Sequence, residues 1–138
     1  MADGRLKIVK PAPPRESRRP IDTFLLSPAE DQRENTVCII LSGTGSDGAK
    51  GVSAVKEHGG LTLAQAEYGS QALSGMPQSA ADTGHVDEVL PVAEMPACLM
   101  SHTLHRLKGA GRKDEKGLYQ DTASDLMNIL RELHALRA

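Results

Sequence analysis

VCIILSGTGSDGAKG, residues 37–51, decides the fold. Val37 to Leu41 is an unbroken apolar run of strand length, and a glycine-studded loop follows it. A carboxylate, Asp47, sits in that loop, and helical spacing resumes at Ala49, Val52 and Val55. The stretch predicts a buried strand, a tight turn and a helix over Asp47–His58, ended by Gly59 and Gly60. In open α/β sheets, ligands and catalytic groups collect at the carboxyl ends of strands, so Asp47 is the first candidate functional residue.

The same rhythm continues outward. Leu61–Gln65 and Val86–Leu90 are two further strand candidates. Between them, Gln71–Thr83 reads as a helical stretch interrupted at Gly75-Met76-Pro77, and Met95–Leu107 follows as an amphipathic helix. Alternating strands and helices imply parallel pairing. The expected fold is α/β: about three parallel strands with flanking helices, as in the C-terminal half of a doubly wound sheet. Upstream, Arg5–Val9 is a short strand candidate. Lys10 to Pro20, KPAPPRESRRP, holds four prolines and reads as a loop. Ile21–Arg33 has helical character, and Pro28 should kink it or end its first part. The expected organisation is a partial α/β domain over residues 1–108, a glycine-rich charged linker over 109–120, and an amphipathic helix over 121–138 with Leu126, Ile129, Leu130, Leu133 and Leu136 on one side.

Composition narrows the function classes. A net charge of −2 over 138 residues gives no polyelectrolyte signal, which argues against nucleic acid as a partner. No apolar run approaches the roughly 20 residues of a membrane helix. The N-terminus MADGRLKIVK has no secretory h-region, and the reading is cytoplasmic. Cys38 and Cys98 lack metal spacing and read as two buried free thiols. No metal or cofactor is expected.

The loop itself admits several chemistries. Gly43-Thr44-Gly45-Ser46-Asp47-Gly48 is a literal GxGxxG between strand and helix, with Glu67 after the next strand. That is the pattern of a Rossmann-like nucleotide site. Against it, Asp47 would put an anion where a pyrophosphate wants bare amides. A serine-hydrolase elbow centred on Ser46 fails because position 44 is Thr44 rather than glycine. The plain structural reading makes Asp47 the cap of its own helix.

Several linked motifs go further. SGTGSDG is followed by GGLTLAQ, then GMPQSA, then GHVDEVLP, with RRPIDTF upstream. In this order they closely resemble the chemotaxis protein-glutamate methylesterase (CheB) family, over roughly residues 5–105. Arg5–Val9 fits the hairpin that precedes RRPIDTF in that family. The resemblance implies hydrolysis of glutamyl methyl esters on chemoreceptor helices, with glutamine deamidation in some members, by a Ser-His-Asp triad. Asp47 matches the triad aspartate. Thr44 stands where the family has a methionine whose backbone amide helps form the oxyanion hole. Gly43, Gly45, Ser46 and Gly48 complete the loop. The family's serine and histidine match nothing in these residues. The first histidine is His58, at the far end of the helix after Asp47, and His85, His102, His105 and His134 read as solvated. Ser42, Ser46 and Ser70 have no evident base.

The resemblance therefore describes a methylesterase piece that is inactive alone, with a non-catalytic protein-binding module as the alternative. DLMNILRELHALRA also resembles the opening helix of the chemoreceptor methyltransferase (CheR) family, as in methylesterase–methyltransferase hybrids, although any amphipathic helix would share the pattern. A sheet lacking its N-terminal half would expose an edge and favour self-association.

Overall fold

In a computed structural model, residues 1–10, 18–67, 72–110 and 131 are described. The element order is α1 (Pro20–Gln32), β1 (Val37–Ile40), α2 (Ala49–Glu57), β2 (Leu61–Gln65), α3 (Gly75–Ala81), β3 (Glu88–Leu90) and α4 (Met95–Ala110). Short 3₁₀ turns at Arg33–Asn35 and Val92–Glu94 precede β1 and α4. The chain divides into two compact units, Met1–Met95 and Pro96–Ala138. Of the linker expected over 109–120, Gly109 and Ala110 are the end of α4; its remainder and the helix expected over 121–138 lie outside the described residues, Arg131 excepted.

In the first unit the sheet runs β1-β2-β3, all parallel. Val37 pairs with Leu61 and Ile40 with Ala64, while Leu63 pairs with Glu88. The central strand explains why LTLAQ reads as continuous rather than alternating, since Leu61 to Ala64 are all buried. β1 differs from the expected fully buried strand. Cys38 and Ile40 enter the core, whereas Val37 and Leu41 stay exposed. With a side-chain period of two, only one face of β1 is covered.

The covered face packs on helices. Leu25 and Ala29 of α1, Val52, Ala54 and Val55 of α2, and Ala80 of α3 form one cluster with Cys38 and Ile40. Helices α1 and α2 meet at Gly51, where a Cβ would lie 2.5 Å from the Cβ of Leu25. Pro28 does not end the first part of α1, which runs unbroken from Pro20 to Gln32. It sits in the second half of the helix, where the prolyl ring and Ala29 are buried, and the buried Thr36 hydroxyl donates to the Pro28 carbonyl at 2.8 Å. Helix α2 begins at Ala49, two residues later than expected, because Gly48 is its N-cap with a left-handed φ of 103°.

Arg5–Val9 is not a strand. The backbone forms only a two-residue turn, in which Ala2 and Arg5 exchange both N–H···O bonds at 3.0 Å. Among the described residues nothing pairs with Leu6 to Lys10. A strand needs a neighbour to satisfy its ladder, and pattern alone cannot supply one.

Two later motifs bind the second and third strands together. Thr62, fully buried, shares its hydroxyl proton between the His85 carbonyl at 2.5 Å and the Asp87 carboxylate at 3.1 Å, and offers its backbone N–H to Asp87 at 3.0 Å. Lys56 of α2 completes the cluster by an ion pair with Asp87. Burial pushes the Asp87 carboxyl up, but Lys56 and the two Thr62 donors outweigh it and hold the group below its ordinary value.

Candidate active site

The loop from Leu41 to Gly48 leaves the carboxyl end of β1 and is gripped from two sides. Helix α3 holds the near half. The Met76 N–H donates to the Gly43 carbonyl at 3.0 Å, and the Ser79 hydroxyl donates to the Gly45 carbonyl at 3.1 Å. The approach is so close that a Cβ on Gly75 would lie 2.0 Å from the Gly43 oxygen, and Gly75 also has φ +59°. Only glycine fits there. GMP and SGTGSDG are therefore two halves of one contact.

Helix α1 holds the far half through a reciprocal pair of carboxylates. Asp47 accepts the Asp22 N–H at 2.9 Å on Oδ1 and the Ile21 N–H at 3.1 Å on Oδ2. Asp22 in turn accepts the Gly48 N–H at 3.0 Å and the Gly51 N–H at 2.8 Å, both on Oδ1. Each acid caps the N-terminus of the other's helix, where the first turn has orphan donors and a partial positive charge. Asp47 thus caps α1, not its own helix as the plain sequence reading had it. Its own helix is served by Asp22. Arg19 closes the arrangement. Its Nε donates to Asp22 Oδ2 at 2.6 Å, and its terminal nitrogen donates to the Ser46 carbonyl and, at 3.3 Å, to the Ser46 hydroxyl.

Asp22 is buried, and burial raises its carboxyl pKa; the Gly51 amide, the Arg19 guanidinium and the Gly48 amide outweigh that and hold it below the ordinary carboxylate value. The geometry also bears on the nucleotide reading. Two N–H groups of the α2 N-terminus, where a pyrophosphate would sit, are already taken by a buried carboxylate.

Thr44, Gly45 and Ser46 are exposed on the loop, and Asp47 is half-buried. Each oxygen of Asp47 spends one lone pair on an α1 amide, and a carboxylate oxygen has two. The group is fixed in position with acceptor capacity left over. In the Met1–Met95 unit neither histidine uses it. His58 Nδ1 lies 2.8 Å from the Ala54 carbonyl. His85, expected to be solvated, has its Nδ1 2.9 Å from the Ser53 hydroxyl. His102 is half-buried rather than solvated, and His105 is exposed. Cys38 is buried as expected, which pushes its thiol up to about 11, whereas Cys98 is only half-buried. Among the described residues no group of three metal-binding side chains occurs, and no helix is long and apolar enough to cross a membrane.

The family model described as CheB methylesterase matches residues 2–99. The chain belongs to the CheB methylesterase family. It is 47% identical over 91 residues to the protein-glutamate methylesterase/protein-glutamine glutaminase of Halobacterium salinarum, covering 66% of this chain and 24% of that protein. A protein of the same description from Anaeromyxobacter dehalogenans is 44% identical over 93 residues, covering 67% and 27%. The crystal structure of the Thermotoga maritima CheB methylesterase catalytic domain superposes with a TM-score of 0.53 at 36% identity, covering 58% of this chain and 42% of that one. An uncharacterized 104.1 kDa protein of Rhodobacter capsulatus is 36% identical over 117 residues, covering 81% of this chain but 12% of its own length. The chain spans about a quarter of the length of these first two relatives.

The sequence pattern names Asp47 and its loop as the candidate site. It missed Arg19 and Asp22 as partners of the loop, although both lie in the RRPIDTF segment that carried the resemblance.

Proposed function

We propose that this chain supplies the aspartate side of a CheB-type methylesterase site acting on glutamyl methyl esters of chemoreceptor helices. The observation that supports it most is the Asp47 carboxylate, clamped by the amides of Ile21 and Asp22 at the head of α1. An orienting acid must be immobile and must keep a lone pair for an imidazole N–H. Asp47 meets both demands.

In the reaction a serine Oγ attacks the ester carbonyl while a histidine takes its proton. Asp47 accepts the other imidazole N–H and stabilises the imidazolium. The Thr44 backbone N–H is the candidate donor to the oxyanion, and a backbone donor survives the change from the family's methionine. The tetrahedral intermediate collapses with proton return to the methoxy oxygen, and methanol leaves. Water then hydrolyses the acyl-serine to glutamate by the same base. Attack on a glutamine amide would release ammonia instead.

The serine and histidine come from the part of a CheB domain that these residues do not match, so the chain alone releases no methanol. Gas-chromatographic measurement of methanol from methylated receptor, with the purified chain as sole enzyme, tests this. Release above the receptor-only control that survives Asp47→Asn would overturn the assignment.

A further inference from the structure

Thr44 stands between two glycines, and Gly43 and Gly45 both take positive φ, 149° and 90°. A segment of this kind lets its peptide planes turn over easily. Here they are held. The Met76 N–H donates to the Gly43 carbonyl and the Ser79 hydroxyl to the Gly45 carbonyl, so α3 pins the chain on either side of Thr44. The first of these contacts is backbone on backbone. A Cβ on Gly75 would lie 3.1 Å from the Gly43 carbonyl carbon and 3.6 Å from the Thr44 Cα, besides striking the carbonyl oxygen.

The pinning has a direction. The Gly43 carbonyl and the Thr44 N–H belong to one planar trans peptide and point opposite ways. With the carbonyl turned onto Met76, the Thr44 N–H is turned away from α3. Among the described residues nothing accepts it, and Thr44 is exposed. Turned over, the same peptide would set the Thr44 N–H against the Met76 N–H, donor facing donor. It would also put a carbonyl oxygen where an oxyanion must be bound. A donor stabilises an oxyanion most when its direction is fixed before the charge develops.

We propose that Gly75, Met76 and Ser79 are positioning residues for the ester hydrolysis, aiming the Thr44 N–H at the oxyanion. Met76 acts through its backbone amide, Ser79 through its hydroxyl, and Gly75 by having no Cβ in the way. All three act through Thr44 rather than on the substrate. The proposal rests on the function proposed above. It also relates two motifs: SGTGSDG supplies the donor and GMP aims it.

The test uses the Thermotoga maritima catalytic domain with these residues in place of its matching segment. Methanol release gives kcat and KM, and circular dichroism follows folding. Met76→Pro removes the amide donor and sets a ring carbon against the Gly43 carbonyl. It should lower kcat by roughly 10²–10³-fold, the scale of losing one oxyanion donor, with KM within about threefold of the parent. A trifluoromethyl ketone analogue of the glutamyl ester, which becomes a tetrahedral oxyanion on the serine, should lose affinity by the same factor. Met76→Leu, which keeps the amide, should stay within about threefold in both constants. Ser79→Ala should lower kcat by roughly tenfold, about the worth of one hydrogen bond, and Ser79→Thr, which keeps the hydroxyl, should restore it. Ser79 is exposed, so this second pair decides the matter where Met76→Pro does not fold. An active parent whose kcat survives these changes overturns this proposal alone. So does a loss shared by Met76→Leu, or one confined to KM. A folded parent that releases no methanol removes the function proposed above, and this proposal with it.

Discussion

Replacing Asp22 with alanine should loosen the whole loop end of the sheet. Gly48 and Gly51 are both buried, and their N–H groups have Asp22 Oδ1 as acceptor. Asp22→Ala leaves two buried donors without a partner, each costing about 1–3 kcal/mol. Removing a buried carboxylate returns part of that, because its desolvation is relieved. A net loss of about 3 kcal/mol is expected, large against a total stability of about 5–15 kcal/mol. Asp22→Asn should cost less, about 1 kcal/mol, because a carboxamide oxygen still accepts both amides while its amino group faces the Arg19 donor. The assay is urea unfolding followed by far-UV circular dichroism, since the chain has no tryptophan and two tyrosines. With a slope of about 1–3 kcal/mol/M, the alanine variant's midpoint should fall by about 1–3 M. A midpoint within error of wild type would refute the reciprocal-cap reasoning.

Three further outcomes are expected. Gly75→Ala should cost about 2 kcal/mol or more, because the new Cβ meets a backbone oxygen and the residue has a left-handed φ; a change under about 0.5 kcal/mol in urea midpoint analysis would contradict this. Asp22 and Asp87 are both held below the ordinary carboxylate value, so their stabilisation is full above about pH 4 and is lost as pH falls through their folded-state values. Urea midpoints should therefore be flat from about pH 5 upward with respect to these two groups and fall below about pH 4, less steeply in Asp87→Asn. The Cys38 thiol, raised by burial to about 11, should resist alkylation at pH 8 until the chain unfolds, as mass spectrometry of the labelled peptide would show.

The strands were legible because apolar runs bounded by glycine carry their own signal, and Leu61–Gln65 was read to the residue. So was the order strand, loop, acid, helix around Asp47. What escaped was set by partners far along the chain. Arg5–Val9 has strand composition, yet strand structure requires a neighbour that no local pattern supplies. Pro28 does not end the first part of α1, where the proline and its neighbour Ala29 are buried by partners outside the helix. The exchange of caps between Asp22 and Asp47 joins residues 25 to 29 positions apart with no periodicity to reveal it. Asp47 read singly suggested a cap on its own helix, and the exchange became visible only once α1 and α2 lay side by side at Gly51.

The most direct test of Asp47 as the orienting acid is methanol release by a CheB-type catalytic domain in which these residues replace the matching segment, compared between Asp47 and Asp47→Asn. The substitution should lower turnover by roughly 10⁴-fold, the scale seen when a triad aspartate is lost, with the domain still folded by circular dichroism. Turnover within a few-fold of the parent in a folded domain would contradict the assignment of Asp47.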